Sequence, residues 1–199
     1  MRVVEDIAAL EALYDAPVPT SLTKVAPRLT PLYRRWIAAA RFCVLATVGP
    51  EGTDASPRGD DGPVLRILDD RTLWLPDWRG NNRLDCLRNI VTDGRVSLMV
   101  MVPGSLNVVR VNGRAVVSDD PALTQGFEQR GQHPKSVIVV TVAEVYFQCA
   151  KALMRSGLWS RDDSADLPSA GDFIKELDAG FDAETYDRTY PTEAPRRMW

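Results

Sequence analysis

The spacing of apolar residues along the chain changes near residue 41, from helical spacing to short strand-length runs. Before that point, the apolar positions predict helices over residues 6–14 and 32–40. The first strand-length run is 42–48, and the residues Gly49-Pro50-Glu51-Gly52 that follow it are typical of a hairpin turn. The pattern therefore predicts a helical beginning followed by a β-rich core.

Strand-length runs continue to residue 148 and are interrupted by helical spacing at 81–91 and 122–130. The predicted strands are 42–48, 53–58, 64–68, 72–75, 95–102, 106–112, 114–118 and 136–148. Those up to residue 75 are expected to form a meander, with Asp69-Asp70 as its last turn. Short antiparallel strands with inserted helices favour a closed or nearly closed barrel over a doubly wound parallel sheet. The predicted fold class is mainly β with inserted helices (α+β).

Helical spacing returns after the last strand, at 150–158 and 172–178, and the end of the chain from Pro191 is expected to be irregular. A chain of 199 residues with 45% hydrophobic residues is sufficient for one domain with a substantial core. The expected division is an N-terminal helical segment 1–40, a barrel 41–160 and a C-terminal helical and irregular extension 161–199.

Charge and cysteine content narrow the class of protein. The net charge of −3 gives no general attraction for nucleic acid. No apolar run is long enough to cross a bilayer, and the first residues turn acidic where a signal peptide becomes apolar, so the expected location is the cytoplasm, away from membranes. Cys43, Cys86 and Cys149 have neither disulfide nor metal-ligand spacing, and they are interpreted as buried free thiols.

The stretch 76–85 is the strongest candidate for chemistry, because it leaves a strand and enters a helix with two arginines and two asparagines around one glycine. Free backbone N–H groups at a helix start, the positive end of the helix dipole and guanidinium groups together suit a terminal phosphate. Asn81 or Asn82 is expected to cap the helix. An ordinary Asn-capped helix with solvated arginines is the alternative.

Two further clusters could serve the same ligand. The segment 55–60 ends a strand with Ser56, Arg58 and a carboxylate before a glycine-containing loop, and a polar hairpin turn is its alternative interpretation. Lys151, Arg155 and Trp159 are spaced by four residues, which would place them on one helical face if the helix persists. Two cations and an aromatic ring suit a planar anion, although surface helices often carry such residues without function.

Taken together, these segments identify a family resemblance. The residues that carry it are 42–47, Ser56-Pro57-Arg58-Gly59-Asp60, Asp77-Trp78-Arg79-Gly80-Asn81-Asn82-Arg83, 110–115 and 151–159. Their order and spacing, over about residues 35–160, resemble the pyridoxamine 5′-phosphate oxidase-related FMN-binding proteins. The resemblance implies a split β-barrel homodimer that holds two FMN molecules in the grooves between its subunits.

The resemblance also implies a role for each matching residue. Arg58, with Arg79, Asn81, Asn82 and Arg83, would hold the phosphate and ribityl chain of FMN. The isoalloxazine would be lined by Ser56, Pro57, Leu75 and Pro76. The opposite subunit would close the site with Lys151, Arg155 and Trp159.

One departure from the family bears on the reaction. Pyridoxamine 5′-phosphate oxidase itself binds its substrate with a C-terminal Arg-x-His element, whereas this chain ends Arg196-Arg197-Met198-Trp199 and has only His133, in an expected surface loop. That activity is therefore disfavoured. The expected function is an FMN-dependent oxidoreductase acting on an unidentified small molecule, with NAD(P)H as a candidate reductant. A non-catalytic flavin protein for storage, sensing or delivery and a deazaflavin-dependent reductase are the alternatives, and a lone histidine offers little support for haem.

Overall fold

A computed structural model describes residues 1–199, and its centre is one seven-stranded antiparallel sheet. The strands are β1 (Phe42–Gly49), β2 (Gly52–Gly59), β3 (Arg66–Ile67), β4 (Thr72–Asp77), β5 (Arg95–Met101), β6 (Val108–Ser118) and β7 (Ser136–Gln148). Their order across the sheet is β2-β1-β5-β6-β7-β4-β3. A mostly antiparallel β fold with added helices, as predicted, is confirmed.

The helices lie before, between and after the strands. They are α1 (Ile7–Glu11), α2 (Pro19–Thr23), α3 (Pro31–Ala38), α4 (Asp85–Thr92), α5 (Pro121–Thr124), α6 (Lys151–Ser156), α7 (Ala170–Leu177) and α8 (Ala183–Glu193), with a 3-10 turn at Ala194–Arg196. The predictions missed α2 and α8, and they made α5 several residues too long. No helix has the length and apolar character needed to cross a membrane.

The predicted meander is wrong only at its middle step, from β2 to β3, because β3 and β4 form the predicted hairpin around Asp69-Asp70, with Ile67 opposite Leu73. β1 and β2 pair as expected, with Phe42 opposite Gly59, but β2 has no partner on its other side. On its other side, strand β4 pairs with β7, where Leu75 lies opposite Ile138. The segment after β2 crosses to the far edge of the sheet and is held there by the Val64 amide, which donates to the Ala40 carbonyl at 2.8 Å. Local turn residues fix where a strand ends, and not which strand it joins.

The sheet is not closed by backbone hydrogen bonds, so the closed barrel is not confirmed. It nevertheless curls strongly. Four strands separate β2 from β4 in the sheet order, yet Arg58 of β2 forms an ion pair with Asp77 of β4. Just beyond β4, the Trp78 indole N–H donates to the Asp60 carboxylate at 2.7 Å. Side chains therefore join one edge strand of the open sheet, β2, to β4, which lies next to the other edge strand, and we call this junction the seam.

Predicted strands 106–112 and 114–118 are one strand, β6, with an irregularity in its pairing to β7 at Asn112/Gly113. A Cβ on Gly113 would lie 2.0 Å from the Thr141 carbonyl oxygen, so the close approach of the two backbones requires glycine. The glycine marks a bulge inside a strand rather than a turn between two.

A single large core fills the concave side of the sheet. It contains 21 buried residues, and Ile37 of α3 and Ile90 of α4 cover it from the helical side. Strand residues such as Leu45 and Leu98 are fully buried. Helix α1, in contrast, buries none of its residues. The core therefore fixes β1, β4 to β7 and α4, and pairing with β1 holds β2 in place; these elements position the site described below.

The structure corrects the interpretation of the cysteines. Cys43 and Cys86 are buried, but Cys149 is exposed at the end of β7. Burial raises the pKa of the Cys43 thiol to about 12, so that thiol stays protonated at neutral pH. Only the thiolate reacts with disulfide reagents.

We expect one fast-reacting thiol per folded chain towards 5,5′-dithiobis(2-nitrobenzoic acid), namely Cys149, followed by two that react only on unfolding. The change in absorbance at neutral pH, with and without denaturant, measures both phases. A Cys149→Ser variant serves as the control and should lose the fast phase alone. A second fast thiol in the folded wild type would contradict the burial of Cys43 and Cys86.

Candidate functional site

The main cavity of the molecule lies at the seam, between the ends of β2 and β4, and has a volume of about 690 Å³. Such volumes are typical of sites for cofactors and other small ligands. The predicted residues that line it are Ser56, Pro57, Arg58, Leu75, Pro76, Arg79, Asn81, Asn82 and Arg83. The structure thus brings together nine of the twelve predicted site residues, from two segments that are not paired strands.

Arg58 is the least exposed of the cations that line this cleft. Arg58 and Ser56 are two residues apart on β2, so both side chains lie on the face that also carries Cys43 and Leu45 of the neighbouring strand. The Arg58 side chain is 18% exposed and its ion-pair partner Asp77 is 20% exposed. The Nε of Arg58 is buried without an acceptor. The guanidinium is therefore fixed in direction by one carboxylate while part of its hydrogen-bonding capacity is unused.

The segment 78–84 forms one wall of the cleft as a loop, and the predicted asparagine cap of the helix is wrong. Helix α4 begins only at Asp85, after Leu84, which makes no side-chain cap. The Asn81 side-chain oxygen accepts from the Arg83 amide at 2.9 Å instead, and Asn82 has a φ of 59°. Asparagine tolerates this left-handed conformation, and its side chain competes with helical hydrogen bonding. The cluster is therefore an irregular loop ahead of the helix, and not its first turn.

The cations of this loop differ in how far they are already neutralised. Arg83 Nε lies 2.5 Å from Asp85 Oδ2, and this hydrogen bond raises the pKa of the Arg83 guanidinium. Arg79 makes no ion pair and is exposed, and the same holds for Lys135 on another wall of the cleft. Arg79 and Lys135 are thus the cations with full capacity for an external anion.

A carboxylate in the loop after β2 holds two segments of the cleft wall together. Asp60 accepts from Trp78 Nε1 at 2.7 Å with one oxygen and from Gln129 Nε2 at 2.8 Å with the other. No cation pairs with it. A carboxylate that accepts hydrogen bonds from two neutral donors fixes the positions of both side chains, although its charge is then partly removed from water. Asp60 therefore orients the Trp78 indole against the cavity.

The Cys86 thiol also lines the cleft, where it donates to Asp54 Oδ2 at 2.9 Å. Burial, followed by the hydrogen bond to Asp54, raises the pKa of this thiol. It is therefore held as a neutral donor and not as a nucleophile.

Sequence reasoning missed the part of the cleft that comes from the second half of the chain. The additional lining residues are Gln132, His133, Lys135, Met198 and Trp199. His133 does lie in an exposed loop, as predicted, with its Nδ1 2.5 Å from the Phe127 carbonyl oxygen. The ring of Trp199 meets Trp78 edge-on, at 5.2 Å between centroids. No local motif marks these residues, because long-range folding alone brings them to the site.

The third predicted cluster is not part of this cleft within one chain. Lys151 and Arg155 lie on α6, but the helix ends at Ser156 and Gly157 has the left-handed φ of a helix C-terminus. Trp159 therefore lies beyond the helix, and the predicted common face does not form. Its indole N–H donates to the Ser105 carbonyl at 2.7 Å.

Comparison with known proteins shows what the chain is similar to. The family model described as pyridoxamine 5′-phosphate oxidase matches residues 29–149. HupZ from Group A Streptococcus aligns with a TM-score of 0.50 at 19% identity, over 60% of this chain and 99% of that one. A candidate pyridoxamine 5′-phosphate oxidase from Lactobacillus delbrueckii aligns at 22% identity, over 61% and 95% of the two chains, with a TM-score of 0.48. An FMN-binding protein from Syntrophomonas wolfei aligns at 14% identity, over 58% and 88%, with a TM-score of 0.40. No curated protein matches the chain.

Proposed function

This chain belongs to the pyridoxamine 5′-phosphate oxidase family, and on that premise we propose that it is a flavoprotein that holds FMN in the cleft at the seam. The observation that carries the proposal is the composition of the cleft. One cavity of about 690 Å³ combines a cationic, asparagine-rich loop with an apolar wall that includes Leu75 and Pro76. FMN has the matching shape, with a phosphate dianion at one end and a planar, largely apolar ring at the other.

The residues present fit such a ligand. Arg79, which has no acidic partner, would bind the phosphate together with the backbone amides of the loop around Asn81 and Asn82. Arg83 would contribute less, because Asp85 already occupies part of its guanidinium. Ser56, Pro57, Leu75 and Pro76 would line the ring, and Arg58 would use its unpaired Nε towards the ligand.

Bound FMN would supply the hydride or electron transfer, so the residues of the chain need only bind, orient and shield it. Arg58 is suited to orientation, since Asp77 fixes its guanidinium. The apolar wall excludes water from one side of the cleft. We propose that the substrate is a small organic molecule and that NAD(P)H is the reductant. The C-terminal tail contributes Met198 and Trp199 to the cleft instead of the Arg-x-His pair, which supports a substrate other than pyridoxamine 5′-phosphate.

We propose further that the protein is a homodimer and that Lys151, Arg155 and Trp159 of one subunit complete the cleft of the other. The outer face of the sheet supports this proposal. Across β5, β6 and β7 it carries a chain of hydrogen bonds, from Ser97 Oγ to Asn112 and from Asn112 Nδ2 to Glu144, each at 2.6 Å. Met99, on the same face, is 41% exposed. A second copy of the chain would cover these partly apolar positions, and the hydrogen-bonded polar side chains would help to fix the alignment of the two sheets.

An absorption spectrum of the purified protein, reconstituted with FMN, tests the proposed function. We expect tightly bound flavin bands, and bleaching of these bands on anaerobic addition of NADPH or NADH in the presence of the protein. Binding of FMN without bleaching by either nucleotide would favour a storage, sensing or delivery protein over an enzyme. Preferential uptake of a deazaflavin in a competition with FMN would contradict the cofactor assignment.

A further inference from the structure

The last residues of the chain reach the cleft but are held there weakly. Met198 and Trp199 make no backbone hydrogen bond, and the preceding turn is fixed mainly by the Arg197 amide, which donates to the Ala194 carbonyl at 3.0 Å. Arg130 adds one exposed contact to the Pro195 carbonyl at 3.3 Å. The position of Trp199 at the cavity therefore depends on its side chain.

The side-chain contact of Trp199 is with a residue that is firmly held. Its ring meets the Trp78 ring at an interplanar angle of 86°, the edge-to-face arrangement that aromatic pairs favour. Trp78 is in turn anchored by the Asp60 carboxylate at 2.7 Å. Two indoles at right angles thus form a corner beside the cavity, with one indole fixed by Asp60 and the other supplied by a tail without backbone anchors.

The Nε1 of Trp199 is buried and has no acceptor. A buried donor without a partner is unfavourable, and indole N–H groups in protein interiors usually find one. The tail conformation is therefore incomplete as a purely structural element. The cavity keeps a volume of about 690 Å³ with Trp199 in place, within the usual range for ligand sites, so a ligand does not need to expel the indole.

Resting on the proposed function, we propose that Trp199 is a ligand-binding residue: with Trp78 it forms an aromatic wall that packs against the planar ring of the bound flavin. Asp60 is the positioning residue of this wall, acting through Trp78. The tail is thus a specificity element of the cleft, built from the same chain.

Dissociation of FMN, measured by stopped-flow fluorescence on the full-length protein, tests this proposal. Loss of an aromatic contact predicts that Trp199→Ala releases FMN about five- to tenfold faster, while Trp199→Phe, which keeps a ring, stays within about twofold of wild type. An indole against the flavin quenches its emission, so bound FMN should be brighter in Trp199→Ala. Leu177→Ala, which alters an exposed residue of α7, is the matched control.

Asp60 is tested by the same two measurements. Asp60→Ala removes both acceptors and should reproduce the faster release and the brighter emission of Trp199→Ala. Asp60→Asn keeps one acceptor oxygen for Trp78 and should restore most of the wild-type behaviour. A role of Asp60 in stability alone would lower the melting temperature without changing the emission of bound flavin, and would overturn the positioning role.

The outcomes separate this proposal from the proposed function. If FMN binds but Trp199→Ala leaves both its release and its emission unchanged, the aromatic wall is overturned and FMN binding stands. Faster association and tighter binding in Trp199→Ala would also overturn it, because the indole would then be a competitor. If FMN fails to bind the wild type, the proposed function falls. The aromatic wall is then tested with 8-anilino-1-naphthalenesulfonate, a planar anion. The rates at which the variants release this dye must follow the same order as that expected for FMN.

Discussion

Two chains that cannot bind FMN by themselves should regain a high-affinity site when they are mixed. One chain carries Arg79→Ala and Arg83→Ala, and the other carries Arg155→Ala and Trp159→Ala. If each site combines the loop of one subunit with residues 151–159 of its partner, a heterodimer has one site with both parts intact. Arg79, Arg83 and Arg155 are exposed, so replacing them leaves no buried group without its partner. Arg58 is left unchanged, because Arg58→Ala would leave the Asp77 carboxylate partly buried without its partner.

The size of the recovery follows from random exchange of subunits. Equal amounts of the two chains give about half heterodimers, so about a quarter of all sites should be restored. Fluorescence titration of FMN counts these sites, and sedimentation confirms that heterodimers form. A mixture of two chains that both lack the loop arginines is the control and should regain none. If heterodimers form and no site returns, the cleft is complete within one chain and the shared-site proposal is wrong.

The second large effect expected is a loss of FMN affinity without a loss of riboflavin affinity in Arg79→Ala. Arg79 is the loop cation without an acidic partner, so its charge is available to a phosphate. Removal of a charge-assisted hydrogen bond should weaken FMN binding by about 1.5 to 3 kcal/mol. Arg83→Ala should cost less, because Asp85 already competes for that guanidinium.

Fluorescence titrations with FMN and riboflavin, at matched ionic strength, measure this difference. Arg88→Ala is the matched control, since Arg88 is exposed on α4 and does not line the cleft. It should bind both flavins as the wild type does. Equal affinity of the wild-type protein for FMN and riboflavin would exclude phosphate recognition by the loop.

Local sequence patterns predicted the strands far better than their partners. The run 136–148 was predicted with the bounds that the structure has, because continuous β-branched residues mark a buried strand. The pairing of β4 with β7 could not be predicted, since it depends on a chain crossing of the sheet that no turn residue encodes. The sequence prediction divides β6 into two strands at Gly113, because glycine is typical both of turns and of close approach between two backbones. The sequence alone does not distinguish these two cases.

The candidate site likewise has one part that local sequence predicts and another part that it does not. The arginines and asparagines near Asn81 stand together in the sequence, and a local cluster of this kind can be predicted. The cap was misplaced because an asparagine can satisfy an amide in a loop as well as one in a helix. Lys135 and Trp199 come to the same cavity from 50 and more residues away, through folding of the whole chain. Their role could be predicted only from the three-dimensional structure.

The seam has a consequence for how a cofactor gains access to the protein. Where β2 and β4 face each other, side chains join them through the ion pair of Arg58 with Asp77 and the hydrogen bond of Trp78 with Asp60. Widening this gap therefore separates a few side-chain contacts and leaves every backbone ladder of the sheet intact. Breathing of such a junction requires much less free energy than the unfolding of a strand, and it falls among the local openings that precede global unfolding. If the cleft binds FMN as proposed, the folded chain can be loaded with it after folding is complete, so that synthesis of the chain and supply of the flavin are independent in time.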